Sequence, residues 1–238
     1  VYGGSYSAKQ GNGILIRNTS DSEVSNEVTI NGGSFIGYNG GYYVDYGNGQ
    51  SPLGEGGRMV GPAASYGLNV MGHDLKVTIN GGSFGENGSV GNSAASFFGS
   101  PGGDNSKNAQ VNVCGGSFNA YNADAISIFR YIDITFDGTS SPISSKITGP
   151  AAVASLSVQD DLLYKDDLER GSTITLRNGT FTGTAYGVWY ACGYDKLNIS
   201  GGTFTGTSET GLHMHQGTSE ANTIRLSGVT FTGGKDGL

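Results

Sequence analysis

The chain repeats one phrase. ITLRNGTFTGT (174–184), LNISGGTFTGT (197–207) and IRLSGVTFTGG (224–234) share it, and shorter copies stand at VTINGGSF (28–35, again at 77–84) and VNVCGGSF (111–118). A fixed phrase returning with filler of variable length marks a repeat architecture, in which one unit cannot bury its apolar face alone and neighbours must stack. Aligned on its aromatic residue, the phrase gives a column of Tyr6, Phe35, Phe84, Phe118, Phe181, Phe204 and Phe231, with Phe136 of ITFDGT read as an eighth member. The cleanest pair, Phe181 and Phe204, leaves room for three short strands and their turns.

Alternation gives each copy the same internal layout, because side chains on a strand point to opposite faces with period two. A first strand turns inward the pairs Val28/Ile30, Val77/Ile79, Val111/Val113, Ile174/Leu176, Leu197/Ile199 and Ile224/Leu226. A glycine turn follows, then a strand Ser/Thr-Phe-x with the ring inside. A third strand carries Ile14/Ile16, Leu68/Val70, Ile126/Ile128, Val188/Tyr190 and Leu212/Met214 inward. Stacked copies make continuous ladders, which is how a chain only 36% hydrophobic, with 43 glycines, builds a core. The expected class is all-β, a solenoid of about eight or nine coils and, at about 4.8 Å per coil, about 40 Å long.

In these columns and turns the sequence resembles, over nearly its whole length, the right-handed parallel β-helix of pectate-lyase-like proteins, phage tailspikes and bacterial surface adhesins. The hand is implied by the resemblance and by the general preference of parallel crossovers. The GGSF/GGTF repeats are most similar to stalks of Gram-positive surface proteins, which implies a secreted or cell-surface location. Function is left open, since that fold carries lyases, hydrolases and plain stalks. Residues 1–238 read as one domain, and its ends, Val1 to Tyr6 and Thr230 to Leu238, fall inside repeat copies, as expected of a piece of a longer chain. Insertions are expected near 38–64, 99–108 and 142–172, with the register illegible at 45–68 and 139–172. In the last insertion SVQDDLLYKDDLER (157–170) begins like a capping box and predicts a short helix packing Leu162, Leu163 and Leu168.

Charge narrows the partners. Charged residues make up 14% of the chain and the net charge is −7, so no basic face exists for phosphate neutralisation and nucleic acid is excluded as a partner. No run of about 18 apolar residues offers a membrane-spanning helix. Oligomeric state is not legible. Cys114 and Cys192 fall in different columns about three coils apart, farther than the roughly 4.4–6.8 Å between Cα atoms that a disulfide needs, so both are expected as buried free thiols. The Asn-x-Ser/Thr matches at Asn18, Asn87, Asn178 and Asn198 follow from composition.

Each outward column can then be read for chemistry. Beside the Phe column, Thr180/Thr182, Thr203/Thr205 and Thr230/Thr232 form a small array that resembles an ice-binding surface, but β-branched Thr is an ordinary exposed strand residue and the array stops upstream. A lyase would need several carboxylates for calcium and an Arg or Lys base. On that face only Asp137 is acidic. Gln159 to Asp161 resembles one polygalacturonase motif, yet His73 sits in GHD and no RIK follows.

The third strand's outer column reads Leu15/Arg17, Asn69/Met71, Phe97/Gly99, Ser127/Phe129, Trp189/Ala191 and His213/His215. Arg17, Met71, Phe97, Phe129, Trp189, His213 and His215 therefore form the candidate ligand site, because an exposed aromatic row is costly in water and marks a binding surface. The partner expected there is a glycan or another host surface molecule. His213 and His215 lack a third metal ligand, so neither metal nor cofactor is expected. Two other readings stand beside this adhesin. One is a polysaccharide lyase or glycoside hydrolase using loop residues Glu55, Arg58, Asp104, Asp160, Asp161 and Lys165 with a histidine base; the other is a structural stalk whose insertions cover the row.

Overall fold

A computed structural model describes residues 1–8, 11–18, 26–37, 42–45, 58–62, 66–85, 94–100, 106–120, 124–129, 131–137, 143–145, 151–155, 171–190, 196–214 and 223–238, with strand placement alone for 42–45, 58–62, 143–145 and 151–155. These residues are all-β, and no helix occurs among them. The helix expected at 157–170 lies outside the described residues.

Three large sheets, each parallel throughout, take the strands in a fixed cycle. An aliphatic sheet holds Asn26–Ile30, Leu75–Ile79, Ala109–Val113, Ile132–Asp137, Thr173–Arg177, Lys196–Ser200 and Thr223–Ser227. An aromatic sheet holds Ser5–Ala8, Ser34–Gly37, Ser83–Phe84, Ser117–Ala120, Ile143–Ser145, Thr180–Gly183, Thr203–Gly206 and Thr230–Gly233. A third sheet holds Ile14–Asn18, Leu68–Gly72, Ala95–Gly99, Ile126–Ile128, Ala151–Ser155, Tyr186–Tyr190 and Leu212–Met214. Each strand pairs with the strand of the same type one repeat away, so like residues stand in register: Val28 on Val77, Phe181 on Phe204, Val188 on Leu212. Tyr42–Asp45 and Arg58–Pro62, inside the first expected insertion, instead pair antiparallel with each other.

Alternation explains the burial. The inward aliphatic pairs and the phenylalanines join third-strand residues in one apolar cluster shared by the three sheets. The corner between the aliphatic and aromatic strands turns on the second glycine of the phrase: Gly33, Gly82, Gly116, Gly179 and Gly202 all have φ between 94° and 126°. That conformation is open to glycine and strained for other residues. The corners also bond to one another, Ser83 N donating to Gly33 O and Ser117 N to Gly82 O, both at 2.8 Å, while Asn80 Nδ2 donates to Asn31 Oδ1 at 2.7 Å.

Phe136 does not belong to the aromatic column. It lies in the aliphatic sheet, opposite Val113 and Leu176, and the aromatic-sheet position is Ile143, opposite Phe118 and Phe181. The ring nevertheless completes the stack from the side. Phe136 packs edge-on to Phe118 at 6.2 Å and to Phe181 at 6.3 Å, where column neighbours stack flat, as Phe35 does on Phe84 at 5.1 Å and Phe181 on Phe204 at 4.6 Å, and only the last pair, Phe204 and Phe231, is tilted, by 38°. Asp137 accordingly faces out from the aliphatic sheet, paired with Arg177 at 3.1 Å. Ile143–Ser145 and Ala151–Ser155 hold places in two sheets, so the repeat continues into 142–172 rather than leaving the stack at 142.

Two further expectations are corrected. Cys114 is exposed, not buried, because it follows inward Val113 and alternation turns it out; Cys192 lies outside the described residues. Met214 is 52% exposed while Leu212 is buried, since among the described residues no strand of the third sheet lies beyond Leu212–Met214 to cover it.

Candidate functional site

The outer face of the third sheet carries two columns, not one. Leu15, Asn69, Ser96, Ser127, Ala154, Trp189 and His213 stand in register in the first. In the second, Arg17 stands on Met71 and Met71 on Phe98, and Phe129 follows beside Phe98.

Phe97 is therefore not a site residue. It points inward between Val70 and Ile128 and is wholly buried, and its neighbour Phe98 takes the outward place. In ASFF two aromatics adjoin, and a slip of one residue exchanges the faces. The structure brings Phe98 and Phe129 together, rings 5.3 Å apart and tilted by 49°, with Met71 on the strand beside Phe98. Arg17 is exposed at the far end of that column. Trp189 and His213 are Cα partners on neighbouring strands, separated from the Phe98–Phe129 pair by the strand Ala151–Ser155. His215 lies outside the described residues.

The two groups differ in access. In the middle of the sheet Asn69, Ser96 and Ser127 hold outward register yet are 8%, 2% and 5% exposed. Tyr66 reaches this column and bonds Ser96; burial pushes its phenol pKa up, against that bond, which lowers it. The Oδ1 of Asn69 is buried with no hydrogen-bond partner. At the other end Trp189 and His213 are both partly exposed.

Around Trp189 a cluster forms that includes a residue alternation does not predict. Tyr186 stacks on His213 with centroids 4.6 Å apart and lies 6.4 Å from Trp189. It is the first residue of its strand, in register with Ala151, and alternation from inward Val188 would turn it inside. A Cβ at Gly187 would lie 2.5 Å from Gly211 O and 2.8 Å from Thr205 N, so the strand approaches its neighbours closely only because glycine is there. Glu209 and Lys235 stand beside Tyr186, since Gly187 N donates to Thr210 O at 3.2 Å and Thr210 is bridged to Asp236. The Lys235 Nζ donates to both Glu209 carboxylate oxygens at 2.6 Å, and the backbone ties the same segments together, Lys235 N donating to Glu209 O at 3.0 Å. The Glu209 bond and charge push the Lys235 pKa up, with smaller contributions from Tyr186 and Asp236. Spacing alone does not bring Lys235 here, since the approach depends on the Thr210–Asp236 bridge.

Of the other polar candidates, His73 does not join this cluster. His73 is buried at the corner between Leu68–Gly72 and Leu75–Ile79, its Nδ1 2.8 Å from Asp74 Oδ2. Glu55, Asp104, Asp160, Asp161 and Lys165 lie outside the described residues, as does the side chain of Arg58. Among the described residues no three His, Cys, Asp or Glu side chains converge as a metal site would require. The Trp189 cluster thus presents ring faces and edge hydrogen-bonding groups, a surface suited to stacking and polar recognition. No family model, curated protein or solved structure matches the chain.

Proposed function

We propose that the chain is a right-handed parallel β-helix, extracellular or on a cell surface, that binds a glycan of a host surface without chemistry. The cyclic strand order, the in-register ladders and the shared apolar interior support the β-helix. The observation that carries the function is the half-open cluster of Tyr186, Trp189 and His213 on the outer face of one sheet. Aromatic faces stack on the apolar face of a pyranose while His213 and the Tyr186 hydroxyl bond its hydroxyls.

A stalk is the second reading, favoured by the burial of Asn69, Ser96 and Ser127, which marks the middle of the same face as covered.

A glycan array of the protein beside Trp189→Ala tests both, with ultraviolet absorbance followed for unsaturated uronate on any acidic polysaccharide that binds. Binding lost in the variant, with no product, is the expected result. Product would make the protein a lyase. Absence of binding by either protein would leave the stalk.

A further inference from the structure

The rim of the Trp189 cluster bears on which glycans it takes, an inference that rests on the glycan-binding reading. A uronate or sialate is bound most strongly where a cation has N–H groups free to meet its carboxylate, since charge-assisted bonds of that kind are the strong ones. Among the described residues Lys235 is the cation brought to this rim, and its ammonium is already held by both oxygens of Glu209. Asp236 stands next to it, so Glu209, Lys235 and Asp236 together carry one net negative charge. The geometry points to Glu209 as a specificity-determining residue: by occupying Lys235 it denies acidic glycans their counter-charge, and the platform selects neutral sugars.

The pair is exposed, its side chains 64% and 35% accessible, so the discrimination is a matter of selectivity rather than of core stability. Freed from Glu209, the Lys235 ammonium would have its N–H groups and its charge available to a carboxylate at this rim. Glu209→Gln keeps the shape and one acceptor while removing the charge.

The test is a binding titration of neutral hexasaccharides (cello-, xylo- and manno-) beside hexagalacturonate and hexamannuronate. Wild type should bind at least one neutral member and neither acid. Glu209→Gln should raise acidic relative to neutral affinity by about fivefold, the size expected of one partly screened charged contact. That gain should vanish in 1 M salt, where screening acts within about 3 Å, and in Glu209→Gln/Lys235→Gln. Wild type binding the acids as tightly as the neutral sugars overturns the inference and leaves glycan binding standing, a result independent of whether the variants fold. A folded Glu209→Gln with unchanged selectivity also overturns it. Wild type binding no member overturns the glycan reading and the inference together.

Discussion

Asp74 has φ of 50°, at a corner that gives its carboxylate three partners. The His73 Nδ1 donates to Oδ2 at 2.8 Å and the Lys107 amide donates to Oδ1 at 3.0 Å, while Asp74 N donates to Lys107 O. Burial alone would raise its pKa; the bonds from His73, Lys107 and the Ser106 hydroxyl outweigh burial and hold the carboxyl below its ordinary range. A carboxylate with a lower pKa folded than unfolded contributes stability that is fully present above the unfolded value, about 3.9, and is lost as pH falls through the folded value. Asp74→Asn keeps one acceptor and turns an N–H toward a donor, so it should cost about 1–2 kcal/mol at pH 7. Urea denaturation at stepped pH should show that cost unchanged down to about pH 5 and shrinking below about pH 4. A constant difference across that range would mean that the carboxylate charge contributes nothing. Nothing in GHD hints at this role, because the Lys107 partner comes from a distant segment. Cys114 is the opposite case: period two read from Val113 places it outside, and only the assumption of a buried thiol hid that.

Among elements, the strand Ile132–Asp137 teaches most. ITFDGT resembles the aromatic phrase, yet an aliphatic-sheet strand with Ile134 and Phe136 inward satisfies the same alternation, and only the pairing partners distinguish the two. The ASFF strand failed similarly, through two adjacent rings that alternation cannot rank. By contrast the regular phrases, with one aromatic and a glycine turn each, fixed most ladders from sequence alone; Tyr186 escaped because alternation would turn it inside, and Lys235 because cross-segment bridges have no period. Phe136 also has a mechanical consequence. It bridges Phe118 and Phe181 where the column itself holds Ile143, so it joins two stretches of stacked rings. Phe136→Ala should cost about 3–5 kcal/mol through the cavity it opens. In a repeat array, where stability is a sum of unit and neighbour terms, a weak central junction decouples the two sides. Guanidinium unfolding followed by Trp189 fluorescence and by far-ultraviolet dichroism should then give non-coincident transitions in the variant, against a single one in wild type. Coincident curves in both would place the coupling elsewhere than in the rings.

At the scale of the molecule, burial is uniform along the stack and falls off in the last strands. Val111, Val113, Ile134, Phe118 and Phe136 are at most 1% exposed, whereas in the strand Thr223–Ser227 Leu226 is 40% exposed and Ile224 only partly buried, and Phe231 is less buried than Phe204. Each strand draws its support from two neighbours, and the outermost strands from one. Opening an outer strand exposes little that is not already wet, so it should proceed locally, while a central strand opens only with much of the array. Amide hydrogen exchange of this 238-residue chain should therefore show protection highest in Ala109–Val113 and Ile132–Asp137 and falling through Lys196–Ser200 to Thr223–Ser227. Local opening of the outer strand should exchange with little dependence on denaturant, and central amides with the full dependence of global unfolding. The Trp189 cluster sits between these regimes, on strands whose inward residues Val188 and Leu212 are buried but whose sheet ends at Leu212–Met214. A ligand stacked across Tyr186, Trp189 and His213 would tie the last two strands of that sheet together, so saturating glycan should slow exchange at Leu212–Met214 more than at Ala109–Val113. Equal slowing at both would indicate that the ligand stabilises the array globally rather than at this surface.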